Sequence, residues 1–230
     1  MDMSANTETP AMDKDGWESF ERRVRDGSIN RREGEAAVSA WADRLRVRYP
    51  EDEFERGIFF PLKGYSFKDC GGRNGEGYQP KGYFFLDGNR HKGHPAQDIF
   101  IFDRNKDLLD DNTGRPVDVI AMADGVVLST YGSWTAKGIE GLRGGNYIWI
   151  YHPQFRAFSC YAHLRDIVVH TGQRVKGGEK IATLGRSGER AFLSSSPTHL
   201  HFVILKSEGM SPINPYPILK EGLWEGDTDN

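Results

Sequence analysis

Hydrophobic positions follow two different periods along the 230-residue chain. Near the N-terminus, Trp17, Phe20 and Val24 recur at i, i+3 and i+7, which is one face of a helix. Asn30, with Glu33 three residues on, is a capping-box variant. It precedes a second apolar face of Ala37, Val38, Trp41 and Leu45, which Pro50 closes. Beyond about residue 57 the period shortens. Runs rich in Val, Ile, Tyr and Phe cover 83–86, 98–102, 117–122, 125–130, 147–151, 158–163, 180–184 and 199–205. Gly, Asn, Asp and Pro separate these runs, and no helical pattern falls between them, so an antiparallel sheet or sandwich is expected. The triplet 123–125 (ADG) predicts a tight hairpin, and Gly177-Gly178 another turn.

Composition supports that division. Up to Arg56, 24 of 56 residues are charged, against 39 of the other 174, while 24 of the 27 glycines fall after Arg56. Two architectures are therefore expected. Residues 1–14 are predicted to be disordered and 15–56 helical. Residues 57–222 are expected to form a mainly β domain, and 223–230 a tail. The helical segment reads as a hairpin packed on the main domain, with a regulatory segment covering a cleft as the alternative.

The net charge of −3, with no Lys/Arg stripe, excludes a nucleic-acid footprint. No apolar run approaches the ~18 residues of a membrane span, and no apolar signal-peptide core opens the chain. Cys70 and Cys160 are too few for a thiolate metal site, and one bridge between them stays open.

Candidate chemistry lies in the seven histidines. In a strand, His199 and His201 project side by side from one face. Two imidazoles on one face suit a metal, or a metal ligand beside a proton carrier. His94 and Asp98, in HPAQD (94–98), offer one nitrogen and one oxygen ligand ahead of an apolar strand. His163 ends the strand run YAHL (161–164), where alternation groups it with Tyr161 and sets Cys160 and Ala162 on the opposite face. His91 reads as exposed, His152 as a strand-end residue and His170 as a turn residue. Tyr83, Asn89 and Arg90 are candidate substrate contacts. Asp103, Asn105 and Asp107 have calcium-loop spacing, but Gly is missing at the sixth position and Glu at the twelfth, so 103–114 is expected to be a solvated turn.

The ordered motifs HPAQD, YAHL and HLH resemble those of the lysostaphin-type (LytM-like) zinc metallopeptidases, which cut peptidoglycan peptides. PVDVIAMADGVV (116–127), GNYIWIYHP (145–153), the Gly-rich stretch 172–185 with Ser187-Gly188, and PINP (212–215) are similar to further family segments. The resemblance runs from about residue 82 to 219. It implies a groove-bearing antiparallel sheet and one zinc ion per chain held by His94, Asp98 and His201. It also implies His163 and His199 as the catalytic pair. Ala96 departs from the Gly often found inside the first motif. The activity implied is hydrolysis of peptidoglycan cross-links, with stem peptides or cross-bridges as substrate. The alternative is a non-catalytic binding or activator protein of cell-wall hydrolases. A zinc D,D-carboxypeptidase fits less well, because its first-motif spacing is longer. These substrates imply an exported protein, extracytoplasmic in location, whose signal has been trimmed from this chain. Directly cross-linked stem peptides are favoured over glycine bridges.

Overall fold

The structure is a computed structural model that describes residues 14–137 and 142–224. The stretches read as disordered (1–14) and as a tail (223–230) lie outside the described residues, apart from Lys14, Leu223 and Trp224. Two helices open the described chain: α1 (Lys14–Arg25) and α2 (Arg31–Arg48). Nine strands follow among the described residues: β1 (Ala96–Phe100), β2 (Asp118–Ile120), β3 (Gly125–Tyr131), β4 (Asn146–His152), β5 (Ala157–Ile167), β6 (Arg174–Val175), β7 (Lys180–Leu184), β8 (His199–Lys206) and β9 (Pro212–Ile213). Helix α3 (Pro215–Glu221) closes the described chain. Every strand pairing is antiparallel. The main path runs β1-β8-β5-β4-β3-β6, with β7 joining β2 to β5 and β9 on β8. No described helix is long and apolar enough to cross a membrane.

Strand alternation divides the sheet into two faces with different coverings. Ile99, Ile148, Ile150, Tyr161, Leu200, Phe202 and Ile204 pack on one side with Val119 of β2 and Ile181 of β7. Trp149, Phe158, Cys160, Val203 and Leu205 pack on the other, beneath Trp17, Phe20 and Val24 of α1 and Trp41 and Leu45 of α2. On β8, His199 and His201 share a face with Val203 and Leu205. The two helices therefore cover the apolar half of the face whose other half carries the histidines. Trp17 sits at the centre of this cover, its ring 5.7 Å from Trp41 and 5.0 Å from Phe158. Asn30 caps α2 by accepting from the Glu33 backbone N–H at 2.9 Å.

Two expectations are corrected, and the open question of a disulfide is answered. Residues 83–86 do not form a strand: Phe85 and Leu86 belong to a 3₁₀ segment (Phe85–Arg90) that is buried among the aromatic residues of the helices. Triplet 123–125 does not close a hairpin, since β2 pairs with β7 while β3 pairs with β4 and β6. Asp124 explains the divergence. It is buried and accepts from the Gly177 and Glu55 backbone N–H groups and from Lys176 Nζ, tying its turn to a different part of the chain. The cysteines are both free and belong to cores on opposite faces of the sheet, so they do not pair.

Glu21 is a buried acid on α1, at the seam between helix and sheet. Burial pushes its pKa up to about 7, against hydrogen bonds from Tyr147, Ser129 and Trp149 and the charge of Arg25. A raised carboxyl pKa contributes stability that is full below the unfolded value near 4.5 and is lost as pH rises through about 7. The gap of 2.5 pH units amounts to about 3 kcal/mol. Glu21→Gln is therefore expected to be more stable than the parent at pH 8 and nearly equal to it at pH 4.5. Urea denaturation at the two pH values checks this.

Candidate metal centre

Register brings the first group of side chains together. Strands β1 and β8 pair so that Asp98 lies directly opposite His201, and His94 precedes β1 by two residues. Asp98 Oδ1 is 3.0 Å from His201 Nδ1 and 3.3 Å from His94 Nε2, and the two ring nitrogens are 3.2 Å apart. Three potential ligand atoms thus lie within 4.8 Å of one another. Burial raises the Asp98 pKa, but hydrogen bonds from His201 and His94 outweigh it and hold the carboxyl well below the usual range. The hydrogen bond to Asp98 pushes His94 the other way, upward. Two imidazoles and a carboxylate form a donor set that suits Zn²⁺ and leaves a fourth position open.

His163 reaches the same place by breaking strand alternation. Its φ is +65°, in the left-handed region that costs a non-glycine residue of order 1–3 kcal/mol. Strict alternation would send it, like Tyr161, into the opposite core. Instead the ring lies on the groove side, 4.9 Å between centroids from His199 and 5.7 Å from His201. The expected grouping of Tyr161 with His163 is therefore corrected: Cys160 and Ala162 line the groove face, and Tyr161 packs on Phe202.

The distortion sits where β5 changes partner, from β8 through Ala162 to β7 from Leu164. Three hydrogen bonds hold it there. The His163 N–H donates to Gly144 O at 2.9 Å, its carbonyl accepts from Gly185 N at 3.0 Å, and Nδ1 lies 2.7 Å from Ser187 O. Gly188 must be glycine: its φ is +110°, and a Cβ there would meet Arg143 O at 2.6 Å and His163 Nδ1 at 2.9 Å.

Tautomers follow from these partners, because a carbonyl only accepts. His163 Nδ1 faces Ser187 O, His199 Nδ1 faces Pro197 O at 2.8 Å, and His94 Nδ1 faces Gly77 O at 2.8 Å. In its neutral form each ring carries its proton on Nδ1 and presents a bare Nε2. Such backbone anchoring of the remote nitrogen is how proteins orient ligating histidines. Burial first, and then His199 and His201, push His163 down to about 3, and burial also lowers His199.

All five side chains line a cleft of about 500 Å³. Its other walls include Arg143, Glu189, Arg190 and Ser196, none of which stands out in the sequence, because the loops that bring them here have no periodicity. Gly77 is missed for the same reason. His91 lines the cleft with its ring edge against Tyr83, rather than standing in solvent. His152 is wholly buried, between Asp124 O and Ser159 Oγ, both at 2.8 Å. His170 is exposed, next to the turn at Thr171-Gly172.

The segment 103–114 is not a purely solvated turn. Asp103 and Asp110 are buried, and their oxygens are taken up by backbone N–H groups, Thr198 Oγ1 and the Tyr65 hydroxyl. Lys106 Nζ donates to Ser194 O, and Arg186 to Ser196 O, so this segment and Arg186 brace one wall of the cleft.

Residues 108–215 match Peptidase family M23, and the chain carries an M23 peptidase domain. The matched region contains His163, His199 and His201 and begins after His94 and Asp98. The murein hydrolase activator NlpD of Escherichia coli is 36% identical over 100 residues, 43% of this chain and 23% of that protein. The chain thus matches under a quarter of that relative's length. Among solved structures, a zinc-containing peptidase from Vibrio cholerae is 25% identical over 71% of this chain and 40% of its own, with a TM-score of 0.46. The catalytic domain of lysostaphin from Staphylococcus simulans is 23% identical over 58% of this chain and 81% of its own, with a TM-score of 0.39.

Proposed function

We propose that the protein is a zinc-dependent endopeptidase of bacterial peptidoglycan, with His94, Asp98 and His201 as the metal ligands and one zinc ion per chain. The observation that carries this reading is the convergence of three ligand atoms with two further imidazoles whose Nε2 atoms are bare. When bound, zinc supplies Lewis acidity, which polarises a scissile carbonyl and makes water nucleophilic near neutral pH. His163 and His199 do the rest. One accepts a proton from the attacking water as its oxygen bonds to the carbonyl carbon. The ring that took the proton then donates its Nε2–H to the oxyanion, and that proton passes to the amine as the C–N bond breaks. Burial favours the neutral form of both rings, the form a general base needs.

The substrate is the peptide cross-link of the wall, and the protein works outside the cytoplasm. The similarity to a murein hydrolase activator supports a second reading, a non-catalytic partner of cell-wall hydrolases. Retention of all five side chains favours the enzyme. Elemental analysis of purified protein, paired with peptide release from sacculi with and without a chelator, separates the two. One zinc per chain with chelator-sensitive release is expected. Absence of bound metal after zinc reconstitution, with no release, would leave the activator reading.

A further inference from the structure

The cleft continues into a side pocket, and the lining of that pocket points to a particular substrate feature. A cavity of about 180 Å³ adjoins the metal centre and shares His91, Pro95, Arg143, Gly144 and His201 with the main cleft. Its floor is the sheet face at Trp149, Cys160 and Val203, and its far wall is α1, which contributes Glu21 and Arg25. A peptide lying over His201 toward Val203 meets this wall.

Two guanidinium groups line the pocket. Arg25 is largely covered, its side chain 24% exposed. Its Nε is engaged by Asp26 at 3.0 Å, and its terminal nitrogens make no hydrogen bond among the described residues. Arg143 Nη1 donates to Asn89 O at 3.1 Å, which fixes the group at the mouth. The one acid among the described lining residues, Glu21, accepts from Ser129 Oγ at 3.0 Å, and burial pushes its pKa up to about 7. With two guanidinium groups against one acid among the described lining residues, the pocket is net cationic, of a size for one small group, and beside the reacting centre. Guanidinium forks are suited to carboxylates.

We infer that Arg25 and Arg143 bind a free carboxylate of the substrate, so that the peptides cut carry a carboxylate close to the scissile bond. This rests on the hydrolase reading for the bond that is cut, but not for the binding itself. The N-terminal helix is then part of the substrate site and sets its specificity.

The test uses the zinc-loaded chain carrying His163→Ala, which prevents turnover. The ligand is cross-linked peptide released from peptidoglycan, either native or with its carboxylates amidated by carbodiimide and ammonia. Calorimetry should find the amidated form bound about tenfold or more weakly. Arg25→Gln and Arg143→Gln should each remove most of that preference, and Arg25→Lys, which keeps the charge but not the fork, should restore part of it. In turnover by the otherwise unaltered protein, the same Gln changes should raise KM more than they lower kcat. Synthetic peptides with a single carboxylate, at the chain end or on a side chain, identify which of the two is held. Equal binding of native and amidated peptide, or an undiminished preference in both Gln variants, overturns the inference. Carboxylate-dependent binding without cleavage by the parent protein would refute the hydrolase reading and leave this site standing. Cleavage with no carboxylate preference would do the reverse.

Discussion

Asp98→Ala and His201→Ala are expected to lose zinc and peptidase activity together, whereas His163→Ala and His199→Ala keep zinc and lose turnover. The split follows from position. Asp98 Oδ1 is the common neighbour of His94 Nε2 and His201 Nδ1. Removing it leaves two neutral nitrogens and no charge to offset a divalent ion. Loss of the metal removes several kcal/mol of transition-state stabilisation, so the rate should fall by about 10³-fold or more. His163 stands outside this trio, anchored through Nδ1 to Ser187 O. Its loss should cost about 10²–10⁴-fold in kcat, the usual contribution of a positioned proton carrier. Zinc content by elemental analysis and peptide release from sacculi, on the same preparations, check both halves. A metal-free His163→Ala protein, or a fully active one, would overturn the division of roles.

Trp17→Ala is expected to destabilise the whole domain by about 3–5 kcal/mol. Trp17 is 2% exposed and meets Phe20, Trp41, Trp149 and Phe158, so it joins both helices to strands β4 and β5. Its indole nitrogen has no hydrogen-bond partner among the described residues, so the loss is one of packing and apolar burial. Against a typical domain stability of 5–15 kcal/mol, that loss is large. Urea denaturation followed by circular dichroism measures it, and a single transition shifted to lower urea is expected. A change below about 1 kcal/mol would mean that the helices are an appendage rather than the cover of the sheet face.

Most of the architecture was legible because it rests on local periodicity. Trp17, Phe20 and Val24 mark a helix face wherever they occur, and all three are buried as that face requires. Seven of the eight strand-like runs contain a strand, because β-branched and aromatic residues bounded by turn residues leave little else. The run at 83–86 fails because its aromatic residues are claimed by the helices rather than by a neighbouring strand. The ADG turn misleads because a turn signal says where the chain bends and nothing of which strand it will join.

The same distinction runs through the site. Residue type and spacing alone determined that His199 and His201 share a face, that His94 and Asp98 lie one short step apart, and that a helical segment precedes a β domain. These are properties of a few consecutive residues. The tertiary structure decided the rest: that Asp98 stands opposite His201, that His163 turns against its strand's alternation, and that α1 walls the pocket beside the metal centre. Each of these depends on contacts between residues far apart in the chain. The His163 backbone is held in an unfavourable region only because Gly144, Gly185 and Ser187 bond to it from other segments, and no local pattern encodes a conformation that local energetics disfavour.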